Sequence, residues 1–222
     1  MTLGGDVQLV SITTDSVTLP GNLGIPAGGQ GIVIFAHGSG SSRLSTRNTY
    51  VAQVLRREGI ATLLFDLLTA EEDRDPERRF DINLLTQRLV QTTYWVQRQP
   101  ECAGLPIGYF GASTGSAAAL NAAAELGPLV QAVVSRGGRP DLAMDALPRV
   151  QAPTLLIIGG ADYGVIELNQ QAYEQLSGEK QLVLVPGATH LFEEAHALEA
   201  VARLAADWFC RFLGGQSLDM AA

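Results

Sequence analysis

The sequence predicts an α/β protein: a mostly parallel sheet with helices on both faces. Two observations carry this reading. Six short runs rich in Val, Ile and Leu lie at 32–36, 61–65, 107–110, 132–135, 155–158 and 182–185, separated by longer stretches. Unbroken hydrophobicity over four or five residues suits a strand covered on both sides. Between the runs, Ile82, Leu85, Leu89 and Val96 recur at near-helical spacing, as do Leu198, Val201, Leu204, Trp208 and Phe212. Strands that alternate with amphipathic helices build a parallel sheet clad on both faces.

The first thirty residues depart from this rhythm. Runs at 7–12 and 17–19 read as short antiparallel strands, the second broken by Pro20-Gly21-Asn22. Residues 71–79, Glu-Glu-Asp-Arg-Asp-Pro-Glu-Arg-Arg, read as a solvated loop before a helix that starts near Asp81, in preference to a gate over a site. Trp95, Trp208, Phe209 and Phe212 are expected in the core.

Composition bounds the rest. A chain of 222 residues with 46% hydrophobic content is expected to fold as one domain, residues 1–222. Its formal charge of −8 repels phosphate backbones and anionic headgroups, so neither nucleic acid nor a membrane surface is an expected partner. Cys102 and Cys210 are too few for a disulfide framework and have no metal-ligand spacing. Met-Thr-Leu-Gly-Gly-Asp has no secretory n-region, and no apolar run reaches membrane-spanning length. A cytoplasmic location is the expectation.

In an open parallel sheet, ligands sit beyond the carboxyl ends of the strands. After the run at 107–110 comes Gly111-Ala112-Ser113-Thr114-Gly115, then the small residues of 116–119. This is a G-x-S-x-G pattern in strand–turn–helix context. The physics is steric: a serine on a strained elbow brings its neighbours into close approach, and glycines at 111 and 115 remove the Cβ atoms that would collide. A hydroxyl needs a base. Of the three histidines, His190 follows the run at 182–185 directly; His196 reads as a surface residue and His37 as a structural one. The base needs an acid to set its tautomer. Asp162, just past the run at 155–158, is preferred to Asp141 and Asp145 because the order Ser113, Asp162, His190 suits a strand-end triad. Oxyanion donors are expected from the amides of Thr114 and of Ser39, in His37-Gly38-Ser39-Gly40.

With these motifs in place, the chain resembles the α/β-hydrolases, and within them the dienelactone hydrolase-like group with a serine nucleophile. The resemblance spans about 31–213 and also rests on Ser135-Arg136-Gly137-Gly138-Arg139-Pro140. It implies an α/β-hydrolase fold and cleavage of an ester, lactone or related acyl bond of a small-molecule substrate, with no metal or organic cofactor. Dienelactone hydrolase itself has a cysteine where this sequence has Ser113, so the resemblance does not imply that substrate.

Residues 136–153 leave room for one small helix around 141–147 and no cap domain, so an open site is expected. Arg43 and Arg136 are candidate contacts for a substrate carboxylate or phosphate, against a rival reading as ion-pair partners. Tyr163 is a candidate pocket residue. Two further readings stay open: a catalytically silent binding protein on this fold, and an acyltransferase or peptidase using the same triad.

Overall fold

A computed structural model describes residues 7–14 and 16–214; the N-terminal six residues, on which the signal-peptide reading rests, lie outside them. Its eight strands are β1 (Val7–Thr13), β2 (Thr18–Gly24), β3 (Ile32–Ala36), β4 (Ala61–Phe65), β5 (Ile107–Ala112), β6 (Val130–Arg136), β7 (Thr154–Gly159) and β8 (Lys180–Val185). They form one sheet in the order β1-β2-β4-β3-β5-β6-β7-β8. The pairs β1/β2 and β2/β4 are antiparallel; all others are parallel. The α/β-hydrolase fold expected from the sequence is therefore present.

Both faces of the sheet are covered from β3 to β7, which explains the continuous apolar runs there. The run in β8 lies at the sheet edge and leaves Leu184 exposed, so it is not covered on both sides as the sequence suggests. All five residues of β3 are buried. Ile32, Ile34 and Ala36 face a core shared with α3 (Ile82–Gln97) and α4 (Thr114–Leu126), whereas Val33 and Phe35 face one shared with α1 (Thr46–Arg57) and α6 (Ala197–Leu213). α5 (Tyr163–Gln175) joins the first layer through Ala172. Trp208 and Phe209 are buried on α6, and Trp95 packs against the α3 layer.

Two local expectations fail. The predicted break at Pro20-Gly21-Asn22 is strand, because Ser11↔Pro20 and Gly21↔Phe65 register the segment between two neighbours. Pairing with β4 begins just past the proline, whose carbonyl still accepts from Asp66 N–H at 3.1 Å. Tertiary pairing overrides the turn chemistry. Residues 71–79 are not a plain loop either. They hold a 3-10 turn (Glu72–Arg74) and α2 (Pro76–Arg79), the latter capped by Asp75, whose side chain accepts from Glu77 N–H. Glu72 anchors the segment by pairing with Arg88 at 2.9 Å and Arg78 at 3.2 Å. Asp81 does start the next helix, its side chain accepting from Leu84 N–H at 3.0 Å.

The register brings the functional loops to one edge. Ala36↔Gly111, Ala112↔Arg136, Arg136↔Ile157 and Gly159↔Val185 set the carboxyl ends of β3, β5, β6, β7 and β8 side by side. Instead of a cap, residues 136–153 carry only two 3-10 turns, Pro140–Ala143 and Leu147–Arg149. No helix among the described residues is long and apolar enough to cross a membrane.

Candidate active site

Ser113 stands between β5 and α4 with φ 50° and ψ −123°, a conformation costly for any residue bearing a Cβ. The surroundings over-determine it. Ser113 N–H donates to Arg136 C=O at 3.2 Å, and Ser113 C=O accepts from Arg139 N–H at 3.1 Å and Ser116 N–H at 3.1 Å. The flanking glycines act as the sequence predicts: a Cβ at Gly111 would strike Ser116 Cα, and one at Gly115 would strike the Ala36 carbonyl oxygen. Gly38 serves the same end from the oxyanion turn, since a Cβ there would lie 3.0 Å from Ser113 Cβ.

Asp162 and His190 follow β7 and β8. Their loops are stitched by Ala161 N–H to Ala188 C=O at 2.9 Å and Gly160 N–H to Val185 C=O at 2.8 Å. That approach requires Gly159, where a Cβ would collide with the Ala188 carbonyl oxygen. His190 Nδ1 lies 2.8 Å from Asp162 Oδ2, the side chains being 36% and 16% exposed. A proton on Nδ1 satisfies the carboxylate and leaves Nε2 as the basic nitrogen. This contact separates Asp162 from its sequence rivals, for Asp141 is engaged by Arg139 at 2.8 Å and Asp145 is exposed. The bond to Asp162 is the only hydrogen bond of the His190 ring among the described residues. The ring nonetheless borders the turn that holds the serine: a Cβ on Gly137, next to Arg136, would lie 3.6 Å from His190 Cε1.

His37 is structural, as expected. Its ring is buried; Nδ1–H donates to Gly38 C=O at 3.0 Å, and Nε2 accepts from Leu67 N–H at 3.0 Å. Burial pushes its pKa below 6.5, which preserves the neutral tautomer this bridge needs. His196 sits just before α6 with its side chain 87% exposed, as a surface residue should.

The turn His37-Gly38-Ser39-Gly40, from which an oxyanion donor is expected, holds its amide differently. Ser39 N–H is not free; it donates to Thr114 Oγ1 at 2.8 Å. The hydroxyl is the partner because Gly38 lets the turn settle against the elbow. Arg43 is likewise engaged: its backbone N–H donates to Asp66 Oδ1 at 2.7 Å and its Nη1 to Asp66 Oδ2 at 2.6 Å, an ion pair with the residue just past β4. Tyr163, the first residue of α5, is 78% exposed. Arg136 is the opposite case. It is 5% exposed, its side chain's one hydrogen bond among the described residues goes from Nη2 to Asn48 Oδ1 at 3.4 Å, and its Cζ lies 5.7 Å from the Phe192 ring centroid. Among the described residues no carboxylate pairs with it, and Arg47 beside it pairs with Glu193. Burial, and then Arg47, push its pKa down to about 10, so the guanidinium is still charged at neutral pH. Asn48 and Phe192 escaped sequence reasoning; only Phe192, two residues past His190, stood near a recognised motif.

On the β4 side of the turn, a cleft of about 410 Å³ is lined by Ser41, Ser42, Arg43, Asp66, Thr69 and Asp73 among others. With this geometry in view, comparison with known proteins is decisive. The sequence model of the dienelactone hydrolase family matches residues 19–213. The chain belongs to the dienelactone hydrolase family. A solved structure of a dienelactone hydrolase from Anabaena variabilis is 58% identical, with a TM-score of 0.91, covering 93% of this chain and 98% of that one. An esterase from Pyrococcus furiosus, 21% identical with a TM-score of 0.77 over 95% of this chain and 94% of that one, shares the fold. A Mycobacterium tuberculosis protein named, provisionally, a phosphoribosyl transferase is 59% identical over 206 residues, or 93% of this chain and 46% of that one. The chain thus spans about half the length of the curated relatives it matches.

Proposed function

We propose that this member of the family is a serine hydrolase that cleaves an ester or lactone of a small polar substrate through an acyl-enzyme. The observation that carries the reading is the 2.8 Å His190–Asp162 contact beside an elbow that holds Ser113 at positive φ. His190 Nε2 takes the Ser113 proton as Oγ attacks the acyl carbon. The tetrahedral oxyanion collapses, the alcohol leaves with the proton from His190, and a water deprotonated by the same nitrogen releases the acid. The reaction needs His190 Nε2 within hydrogen-bond reach of Ser113 Oγ in the substrate complex; such bonds are often long or poorly aligned before substrate arrives.

Two features support a small, polar, anionic substrate. Without a cap the site is open, which suits a small substrate, and the hydroxyls of Ser41, Ser42 and Thr69 in the neighbouring cleft suit a polar one. Arg136, charged, buried and without a carboxylate, supplies a fork for a substrate carboxylate or phosphate. We assign hydrolysis, not phosphoribosyl transfer, because the dienelactone hydrolase family model covers 19–213 of this chain, whereas the mycobacterial relatives extend well beyond the shared part. The unpaired Cys102 and Cys210 agree with the cytoplasmic location we propose. Labelling by a fluorophosphonate tests the nucleophile: the native protein should be modified at Ser113, and Ser113→Ala should remain unlabelled and lose ester hydrolysis. Undiminished labelling of the alanine variant would refute the assignment.

A further inference from the structure

We propose that the Thr114 side-chain hydroxyl, backed by the Ser39 amide, is itself an oxyanion donor, so that the second arm of the oxyanion hole is a relay instead of a bare backbone N–H. The inference rests on the hydrolase reading above and refines its chemistry at the acyl oxygen.

The amide that the sequence pattern marks as a donor is committed: Ser39 N–H lies 2.8 Å from Thr114 Oγ1. A hydroxyl that accepts one hydrogen bond keeps its own proton to donate. No described residue accepts that proton, although Thr114 is buried at 3% exposure. A buried donor without an acceptor is costly unless the functional state supplies one. Thr114 is the first residue of α4 and follows the nucleophile directly, so its hydroxyl and its amide belong to one residue beside the reacting carbon. The helix N-terminus adds partial positive charge there. Ser39 N–H polarises the hydroxyl, which strengthens its bond to a developing negative charge. Gly38, packed against Ser113 Cβ, sets the turn close enough for the relay, and His37 fixes the turn between the ends of β3 and β4.

The test compares Thr114→Ser, which keeps the hydroxyl, with Thr114→Val, which keeps the shape. Steady-state hydrolysis of an aryl ester is measured with binding of an aryl trifluoromethyl ketone, whose hemiketal oxyanion mimics the intermediate. Losing one oxyanion donor lowers kcat by about 10²-fold. Thr114→Val should lose kcat on that scale with little change in KM, weaken the ketone in parallel, and still react with fluorophosphonate at Ser113; Thr114→Ser should stay near the native rate. If Thr114→Val hydrolyses the ester as fast as the native protein, or faster, the hydroxyl is only a plug that substrate displaces, and the relay is wrong. A rise in KM with unchanged kcat and ketone affinity also overturns it, as does a Thr114→Ser variant as slow as Thr114→Val. Should Thr114→Val not fold, Thr114→Ala carries the same comparison. Failure of the hydrolase reading looks different: the native protein itself would neither label at Ser113 nor turn over ester.

Discussion

Arg88 and Arg136 are almost equally withdrawn from water, at 4% and 5% exposure, yet their surroundings differ. Arg88, on α3, donates to Glu72 at 2.9 Å, Ser16 at 2.8 Å and Thr14 at 3.1 Å. It ties the segment after β1 and the segment after β4 to α3. The Arg136 side chain, at the end of β6, has one long bond to a neutral amide and a ring beneath it, and the residue's carbonyl accepts from Ser113 N–H. Burial is thus common to both charges; what differs is the counter-ion, which Arg88 has in Glu72 and Arg136 lacks among the described residues. On the function proposed above, that difference assigns Arg88 to the fold and Arg136 to the substrate.

That contrast can be tested from both sides. Arg88→Met should be the more damaging to the fold, because it removes the buried partner of Glu72 and leaves its carboxylate to the half-exposed Arg78: about 3 kcal/mol lost in urea unfolding. Arg136→Met should leave stability unchanged or raise it, since it removes a desolvated charge. Its effect should fall on catalysis, about 10- to 100-fold in kcat/KM for an ester bearing a carboxylate, with far less change for the neutral analogue. An Arg136→Met variant that melts as early as Arg88→Met and treats both esters alike would dissolve the distinction.

His37 lies between these cases: a buried base satisfied by the backbone rather than by a charge. Its folded pKa is depressed below 6.5 while the unfolded chain still takes up a proton there. The stability it contributes is thus full above pH 6.5 and lost as pH falls through that value, with a slope of at most about 1.4 kcal/mol per pH unit. Urea titrations at pH 7.5 and 5.5 should show a smaller difference in His37→Asn than in the native protein. The smallest effect belongs to the exposed pair Arg139–Asp141, where Arg139→Ala should cost under about 1 kcal/mol. A larger loss there would mean that the Arg139 side chain, and not only its backbone bond to Ser113 C=O, supports the elbow.

The linear sequence by itself determined the fold class, the strand-end placement of Ser113, Asp162 and His190, and the structural role of His37. These rest on local signals: runs covered on both faces, glycines where a Cβ cannot fit, and residues directly after a strand. Pro20-Gly21-Asn22 reads as a turn in isolation because its pairing partners lie elsewhere in the chain, and the charged run at 71–79 reads as solvated because Arg88 is distant from most of it. Only the tertiary structure decided that Ser39 N–H meets Thr114 Oγ1, 75 residues away, and that Arg43 pairs with Asp66 while Arg136 meets no carboxylate among the described residues. Hydrogen-bond partnership and counter-ion pairing are relations between positions brought together by folding, so no periodicity or spacing along the chain encodes them directly.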